Sequence, residues 1–240
     1  MTGKPYRSHA PVTSPVTRSI RAACYKRPMI IETLPVGPLQ CNCSLLVDEE
    51  TRRAIVIDPG GDFEKIRERL EKAGAQVSAI VHTHTHIDHV GATAPLQRLT
   101  QARASIHEAD RPLYDLLPIQ AQMLGIPLPE VCDIDGDLTD ELVVRAGEIE
   151  LVVLHTPGHT PGSVSFVVHA DDASVVFTGD TLFRRGIGRT DLWGGDSDLI
   201  LRSLRNRLMT LAEDTHVVAG HGPSTTIGEE KRANPYLRVA

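Results

Sequence analysis

The chain has 240 residues, of which 41% are hydrophobic, and a formal net charge of −6. That length accommodates one catalytic domain with a sizeable core, and no apolar run approaches the roughly 20 residues that cross a bilayer. The acidic balance opposes a broad basic face, which excludes nucleic acid or a membrane as main partner and leaves a small molecule.

Residues 1–28 carry Lys4, Arg7, Arg18, Arg21, Lys26 and Arg27, no acidic residue, and abundant Pro, Ser and Thr. Such a composition builds no core, so it reads as a disordered basic extension, dispensable or produced by a mis-set start, ahead of a catalytic domain over 29–240. Strand-like runs near Ile30, Leu45 and Ile55 lead into a helix with Phe63, Ile66, Leu70 and Ala73 on one stripe. Cys41 and Cys43 are too close in an extended strand for an ordinary disulfide. With four cysteines in all, they read as small packing residues in a reducing, cytoplasmic compartment. Val77 to Val81 reads as a buried strand. A helix over Ala94 to Leu99 and a strand near Ser105 precede a proline-broken helical insertion, Pro112 to Pro129, expected to roof the site. Strands near Leu142, Ile149, Val164 and Val175 follow, and Asp196 caps a helix whose Ile200, Leu204, Leu208 and Leu211 form an apolar stripe.

The densest chemistry lies just after the Val77 to Val81 strand, in His84-Thr85-His86-Ile87-Asp88-His89 with Gly91 beyond. On a strand-to-helix loop, His84 and His86 can turn toward one metal ion while Asp88 and His89 face a second, and Gly91 is expected to relieve the tight turn. Three further candidates each follow an apolar run: His159 in Thr156-Pro-Gly-His-Thr-Pro-Gly162, Asp180 after Ser174 to Gly179, and His221 after His216 to Gly220. A single histidine after a strand is more often a core or surface residue than a ligand. Five histidines and two aspartates, all at strand ends, are a ligand set. His82, His107, His155, His169 and His216 match no ligand position.

These residues resemble the metallo-β-lactamase superfamily, which carries an acidic residue after an early strand, then H-x-H-x-D-H, His, Asp and His. The resemblance extends from about Met29 to Leu237 and implies an α+β, four-layer αββα sandwich. It also implies that His84, His86 and His159 hold one divalent ion, that Asp88, His89 and His221 hold another, and that Asp180 bridges them. Asp88 and Asp180 are then the catalytic carboxylates, and Asp58 orients a ligand imidazole. Zinc is the metal expected, with iron or manganese compatible with the same donors.

Aspartate at position 180 departs from the β-lactamases themselves, and His86 departs from the flavin di-iron branch, which has glutamate there. Closest is the glyoxalase II group, which Thr178 to Phe183, Gly186 to Arg189, Gly220 to Pro235 and Leu39 to Leu45 resemble. Few residues follow His221, so the chain resembles the short single-domain members rather than those with a helical glutathione-binding domain. The implied reaction is hydrolysis of a thioester, a glutathione conjugate in that group, by a metal-bridging hydroxide. Arg185, Arg189, Lys231 and Arg232 are candidates for the substrate's carboxylates. The alternatives are a mononuclear iron persulfide dioxygenase, a lactonase, or a non-catalytic metal-binding protein.

Overall fold

Apolar side chains that alternate with period two along a strand load both faces of its sheet, and the first half of the chain is built this way. The computed structural model describes residues 29–170 and 173–238; the basic extension lies outside them. The first sheet runs β1 (Met29–Val36), β2 (Cys41–Asp48), β3 (Arg53–Ile57), β4 (Gln76–Val81), β5 (Arg103–Ile106), β6 (Gly136–Asp137). Its first three strands are antiparallel and the rest parallel. Parallel neighbours need crossovers. These are α1 (Phe63–Ala73), ended by left-handed Gly74, α2 (Ile87–Val90) and α3 (Thr93–Thr100) between β4 and β5, and α4 (Arg111–Asp115) and α5 (Leu117–Leu124) between β5 and β6.

Cys41, Cys43, Leu45 and Val56 face Ile66 of α1 and Leu96 of α3, while Leu46, Ile55 and Ile57 face the opposite way. There they meet Leu151, Val153, Phe166 and Phe177 of a second sheet. That sheet comprises β7 (Val143–Ala146), β8 (Ile149–His155), β9 (Val164–Ala170) and β10 (Ala173–Gly179). After a separate hairpin, β11 (Leu182–Phe183) with β12 (Gly186–Ile187), it is completed by β13 (His216–Ala219) and β14 (Thr225–Thr226). The spatial order is β14-β13-β10-β9-β8-β7. Its outer face, with Val167, Val176 and Val217, is covered by Ile200, Leu204, Leu208 and Ile227. The layers are thus helix, sheet, sheet, helix: the α+β, four-layer αββα sandwich.

Two expectations need correction. The helix capped by Asp196, whose carboxylate accepts from Asp198 and Leu199 N–H at 2.9 and 2.8 Å, is α-helical only over α6 (Ser197–Ser203) and widens into a π turn over Leu204–Leu208. Met209 N–H donating to the Leu204 carbonyl at 2.8 Å ends it, so Leu211 packs from beyond the helix. The proline-broken insertion forms two helices, Arg111–Asp115 and Leu117–Leu124, but the roof expected of it is not among its described contacts. Its apolar side packs on Ile87 and Val90. The Gln120 amide accepts from Ile87 N–H at 2.9 Å and donates to the Thr85 carbonyl, so the segment buttresses the histidine loop from its flank.

Candidate metal centre

The ends of β3 and β4 in one sheet and of β8, β10 and β13 in the other converge on one rim, and every predicted ligand leaves from it. Backbone bonds stitch the rim across the sheets. Val164 N–H donates to the Thr83 carbonyl at 2.8 Å and Asn42 N–H to Gly220 at 2.7 Å, while within the second sheet Gly220 N–H donates to Gly179 at 2.7 Å. The loop carrying His221 is held further by the Asn42 amide, which donates to the Ala219 and Gly222 carbonyls.

Two groups of donors face each other. In the first, His84 Nε2 stands 3.1 Å and His159 Nε2 2.9 Å from His86 Nδ1. In the second, Asp88 Oδ2 stands 3.0 Å from His221 Nε2 and 3.6 Å from His89 Nε2. Asp180 lies between, Oδ2 3.7 Å from His159 Nε2 and Oδ1 3.6 and 3.8 Å from His89 Nε2 and His221 Nε2. Within each group the ligand atoms lie within 4.8 Å of one another.

The donor set fits cations. Three imidazole nitrogens meeting in a buried space have too few protons to satisfy one another, and among the described residues His89 Nε2 and Asp180 Oδ1 are buried side-chain atoms with no hydrogen-bond partner. Buried polar atoms are rarely left so. Asp88, Asp180 and His221 keep part of their surface in solvent, so the rim is open on their side.

Outer partners fix the rings. Asp58 lies just past β3 in the left-handed region, φ 50°, and its carboxylate accepts from Thr83 N–H at 2.7 Å and from the Thr83 hydroxyl at 2.6 Å. The same carboxylate stands 3.0 Å from His89 Nδ1, so the imidazole it orients is that of His89. His84 Nδ1 meets the Thr83 hydroxyl at 3.1 Å, and His159 Nδ1 donates to the Arg189 carbonyl at 2.7 Å. A proton held on the outer nitrogen turns the Nε2 lone pair inward. Cys41, packed in the outer core, has its Sγ 3.5 Å from His89 Nδ1, and burial pushes its thiol up to about 11.

Electrostatics separate the groups. Burial first, then the neighbouring His89 and other imidazoles, push His84 well below the ordinary histidine value. Burial and His159 bring His86 down to about 3. For His89, burial works downward, but the Cys41 thiol and the Asp88, Asp58 and Asp180 carboxylates outweigh it and raise the imidazole well above its usual value. His221, also opposed by burial, is raised by its bond to Asp88 and by Asp180. Burial works against Asp88 as a charge, yet His89 and His221 hold its carboxyl low.

Gly91 was expected to relieve a tight turn, but its φ and ψ of −59° and −25° are ordinarily helical. It is glycine for space, since a Cβ there would stand 2.4 Å from the Gly60 carbonyl oxygen. Gly220 likewise leaves room for Asp180, whose Oδ1 a Cβ would meet at 2.1 Å.

The four basic candidates divide. The exposed Arg189 guanidinium pairs with Asp191 at 2.7 and 2.8 Å and lies near enough to His86 to help depress it, while the Arg189 carbonyl holds His159. Arg185, at φ 63° in the turn between β11 and β12, is fixed through its N–H by buried Glu230 at 2.9 Å. Lys231 and Arg232 lie on α7 (Ile227–Ala233) and reach the Leu211 carbonyl and the Glu213 carboxylate, so the structure does not bring them to the ligand cluster.

Sequence reasoning missed Asp110, Gln120 and the Arg189 carbonyl. Pattern offers no signal for a backbone oxygen, and Asp110 and Gln120 lie in stretches with no motif. The other histidines among the described residues are accounted for: His82 bonds the Ser105 carbonyl and Thr93, His107 stacks on His155 at 4.1 Å, His169 meets Ser174, and His216 is exposed.

Residues 36–221 match the family model of the Metallo-beta-lactamase superfamily. The hydroxyacylglutathione hydrolase GloC of Haemophilus influenzae is 42% identical over 216 residues, covering 87% of this chain and 98% of that protein. Among solved structures, TTHA1623 in a di-iron-bound form superposes with a TM-score of 0.75 at 38% identity, covering 86% of this chain and all of the other. The BLEG-1 B3 metallo-beta-lactamase does so with a TM-score of 0.80 at 38% identity, covering 87% of this chain and all of the other. Aspartate at position 180 therefore does not set this chain far from every β-lactamase. With its donors gathered on one rim of the αββα sandwich and these relatives spanning nearly its whole described length, the chain belongs to the metallo-β-lactamase superfamily, among its glyoxalase II-like members.

Proposed function

We propose that this protein is a dinuclear metal-dependent thioester hydrolase acting on acyl conjugates of glutathione. The observation that carries the reading is the double donor set sharing Asp180, with His89 Nε2 and Asp180 Oδ1 buried and unpartnered. Supporting it is the 42% identity to GloC over almost the full length of both chains. His84, His86 and His159 would hold one divalent cation, Asp88, His89 and His221 the other, and Asp180 would touch both. Zinc suits these donors, as does the iron of the TTHA1623 structure. Such cations lower the pKa of water toward neutrality and polarise a carbonyl.

The chain's own residues do the rest. Asp58 and Arg189, through its carbonyl, keep the His89 and His159 rings aimed inward. Asp88, held ionised, takes a hydrogen bond from the attacking water on the open side of the rim. Water adds to the thioester carbonyl carbon and gives up its proton to solvent by way of Asp88, the C–S bond breaks, and the sulfur departs with the bonding pair as a thiolate that needs no strong acid. Arg189, by releasing or sharing Asp191, and Arg185, which is held through its backbone N–H, are the candidates to meet a glutathione carboxylate. A cytoplasmic, reducing setting follows from the thiol chemistry proposed.

The test is thiol release from S-D-lactoylglutathione by the purified protein, with metal analysis, and with β-lactam hydrolysis and oxygen uptake with glutathione persulfide measured in parallel. Two equivalents of metal and oxygen-independent thiol release are expected. Turnover of a β-lactam alone, or oxygen uptake with one iron, would overturn the assignment.

A further inference from the structure

We infer that Asp110 is a positioning residue that clamps the two loops of the three-histidine group together and thereby sets the affinity of that group alone. The inference rests on the metal-centre part of the function proposed above and is independent of the substrate.

His84 and His86 leave the first sheet, whereas His159 sits on the loop between β8 and β9 of the second. The Val164 N–H to Thr83 carbonyl bond ties the strand ends where the sheets meet and leaves the gap between the two loops themselves to be closed. Asp110, at the end of a single turn of 3-10 helix over Glu108–Asp110, spans it. Its Oδ2 accepts from Thr85 N–H at 3.1 Å, the residue between His84 and His86, and from the Thr160 hydroxyl at 2.9 Å, next to His159. Its Oδ1 accepts from Gly162 N–H at 2.5 Å. The Thr85 hydroxyl returns a bond to the Asp110 carbonyl at 3.1 Å. One carboxylate thus binds the backbone or side chain of both neighbours of the ligands, and Asp110, Thr85 and Thr160 are all fully buried.

The local sequence is shaped to this contact. Gly162 cannot carry a side chain, because a Cβ there would stand 2.6 Å from Asp110 Cγ and 2.7 Å from its N and Cβ. Thr160 is itself set by Ser163, whose Oγ accepts from Thr160 N–H at 3.0 Å and lies 2.7 Å from the Thr160 hydroxyl. Charge-assisted hydrogen bonds in a dry site are short and geometrically exacting, which suits an anion asked to hold two imidazoles in register. Asp88, His89 and His221 have other supports, Asp58 and Asn42, and none of the described hydrogen bonds of Asp110 reaches them.

The experiment is stepwise metal titration, with zinc against a chromophoric chelator, of the full chain, Asp110→Asn and Thr160→Val, with the melting temperature of each metal-free protein recorded alongside. Asn keeps the shape but presents a donor to at least one N–H or hydroxyl that needs an acceptor. Asp110→Asn should weaken one of the two binding steps about 10- to 100-fold, the range for groups that support metal ligands, and leave the other within about twofold. Thr160→Val, which removes one link, should weaken the same step by less and should still fold if Asp110→Asn does not. Equal weakening of both steps, no change in either, or no effect of Thr160→Val overturns the clamp. Failure of the unsubstituted protein to take up two equivalents overturns the metal reading instead.

Discussion

The two halves of the candidate metal centre are built on opposite principles. His84, His86 and His159 form an all-imidazole group in which burial and mutual repulsion hold His84 and His86 neutral. Asp88, His89 and His221 form a mixed group at the open edge, where carboxylates draw protons onto the two histidines. A metal-free first group has lone pairs ready and no proton to shed at His84 and His86; in the second group His89 and His221 hold protons more tightly than an ordinary histidine, and a cation must displace them. Two sites of similar donor count on one rim therefore answer differently to pH.

The residue common to both halves is the severest place to break the comparison. Asp180→Ala removes the one carboxylate that faces His159 on one side and His89 and His221 on the other. Metal content should fall from two equivalents to one or none, and kcat/KM by about 1000-fold, the scale of several kcal/mol of lost transition-state charge stabilisation. Unchanged metal content by elemental analysis would mean that the halves do not share Asp180.

The proton difference gives the next largest effect. Filling the second group must release protons from His89 and His221, so its affinity falls with acid from neutral pH. The first group should hold its affinity further into acid, because His86 charges only near 3. Calorimetric titrations in two buffers of different ionisation enthalpy count the protons step by step, and equal release in both steps would erase the distinction. Stability of the metal-free protein carries the opposite signs of the same shifts. The lowered His86 contributes destabilisation as pH falls from about 6.5 toward 3, where the unfolded chain binds the extra proton. The raised His89 contributes stability present below about 6.5 and lost as pH rises through its folded value. Metal-free protein should therefore be most resistant to urea near neutrality and weaken on both sides.

Asp58 sharpens the comparison from outside the ligand set. Asp58→Asn leaves a neutral amide beside His89 Nδ1 and the Thr83 N–H and hydroxyl, which loosens the second group's imidazole directly and reaches His84 of the first group only through the Thr83 hydroxyl. A 10- to 100-fold loss of affinity in one binding step is expected, and it should be the proton-releasing step. An identical loss in the other step would show that Asp58 supports the whole rim rather than His89.

What was legible in the chain follows the same divide between pattern and contact. The seven candidate ligands stand at strand ends because apolar period-two runs such as Val77 to Val81 announce where a strand stops, and chemistry-bearing residues there have few packing roles to compete for. The layers were legible for the same reason. Leu211 was misplaced because a π turn at Leu204–Leu208 inserts a residue without changing composition, and the insertion's role was misjudged because Gln120 acts by two bonds to the Thr85 and Ile87 backbone rather than by covering the site. Gly91 shows the converse: a glycine in the expected place, required by the approach of Gly60 rather than by its own dihedral angles.

Lys231 and Arg232 are the smallest effects and the cleanest negative control. Both project from α7, and their cations already face the Leu211 carbonyl and Glu213. The Arg232–Glu213 pair is about two-thirds exposed on both sides, a setting in which ion pairs contribute about 0–1 kcal/mol. Lys231→Ala and Arg232→Ala should therefore leave KM for a glutathione thioester and both metal-binding steps within about twofold, with melting temperature moving by a few degrees at most. Arg189→Ala, whose guanidinium lies near His86 while its carbonyl remains to hold His159, should raise KM with little change in metal content. If Arg232→Ala instead raised KM and Arg189→Ala did not, the substrate would have to lie along α7, and the open edge at Asp88 and His221 would no longer be the side from which it approaches.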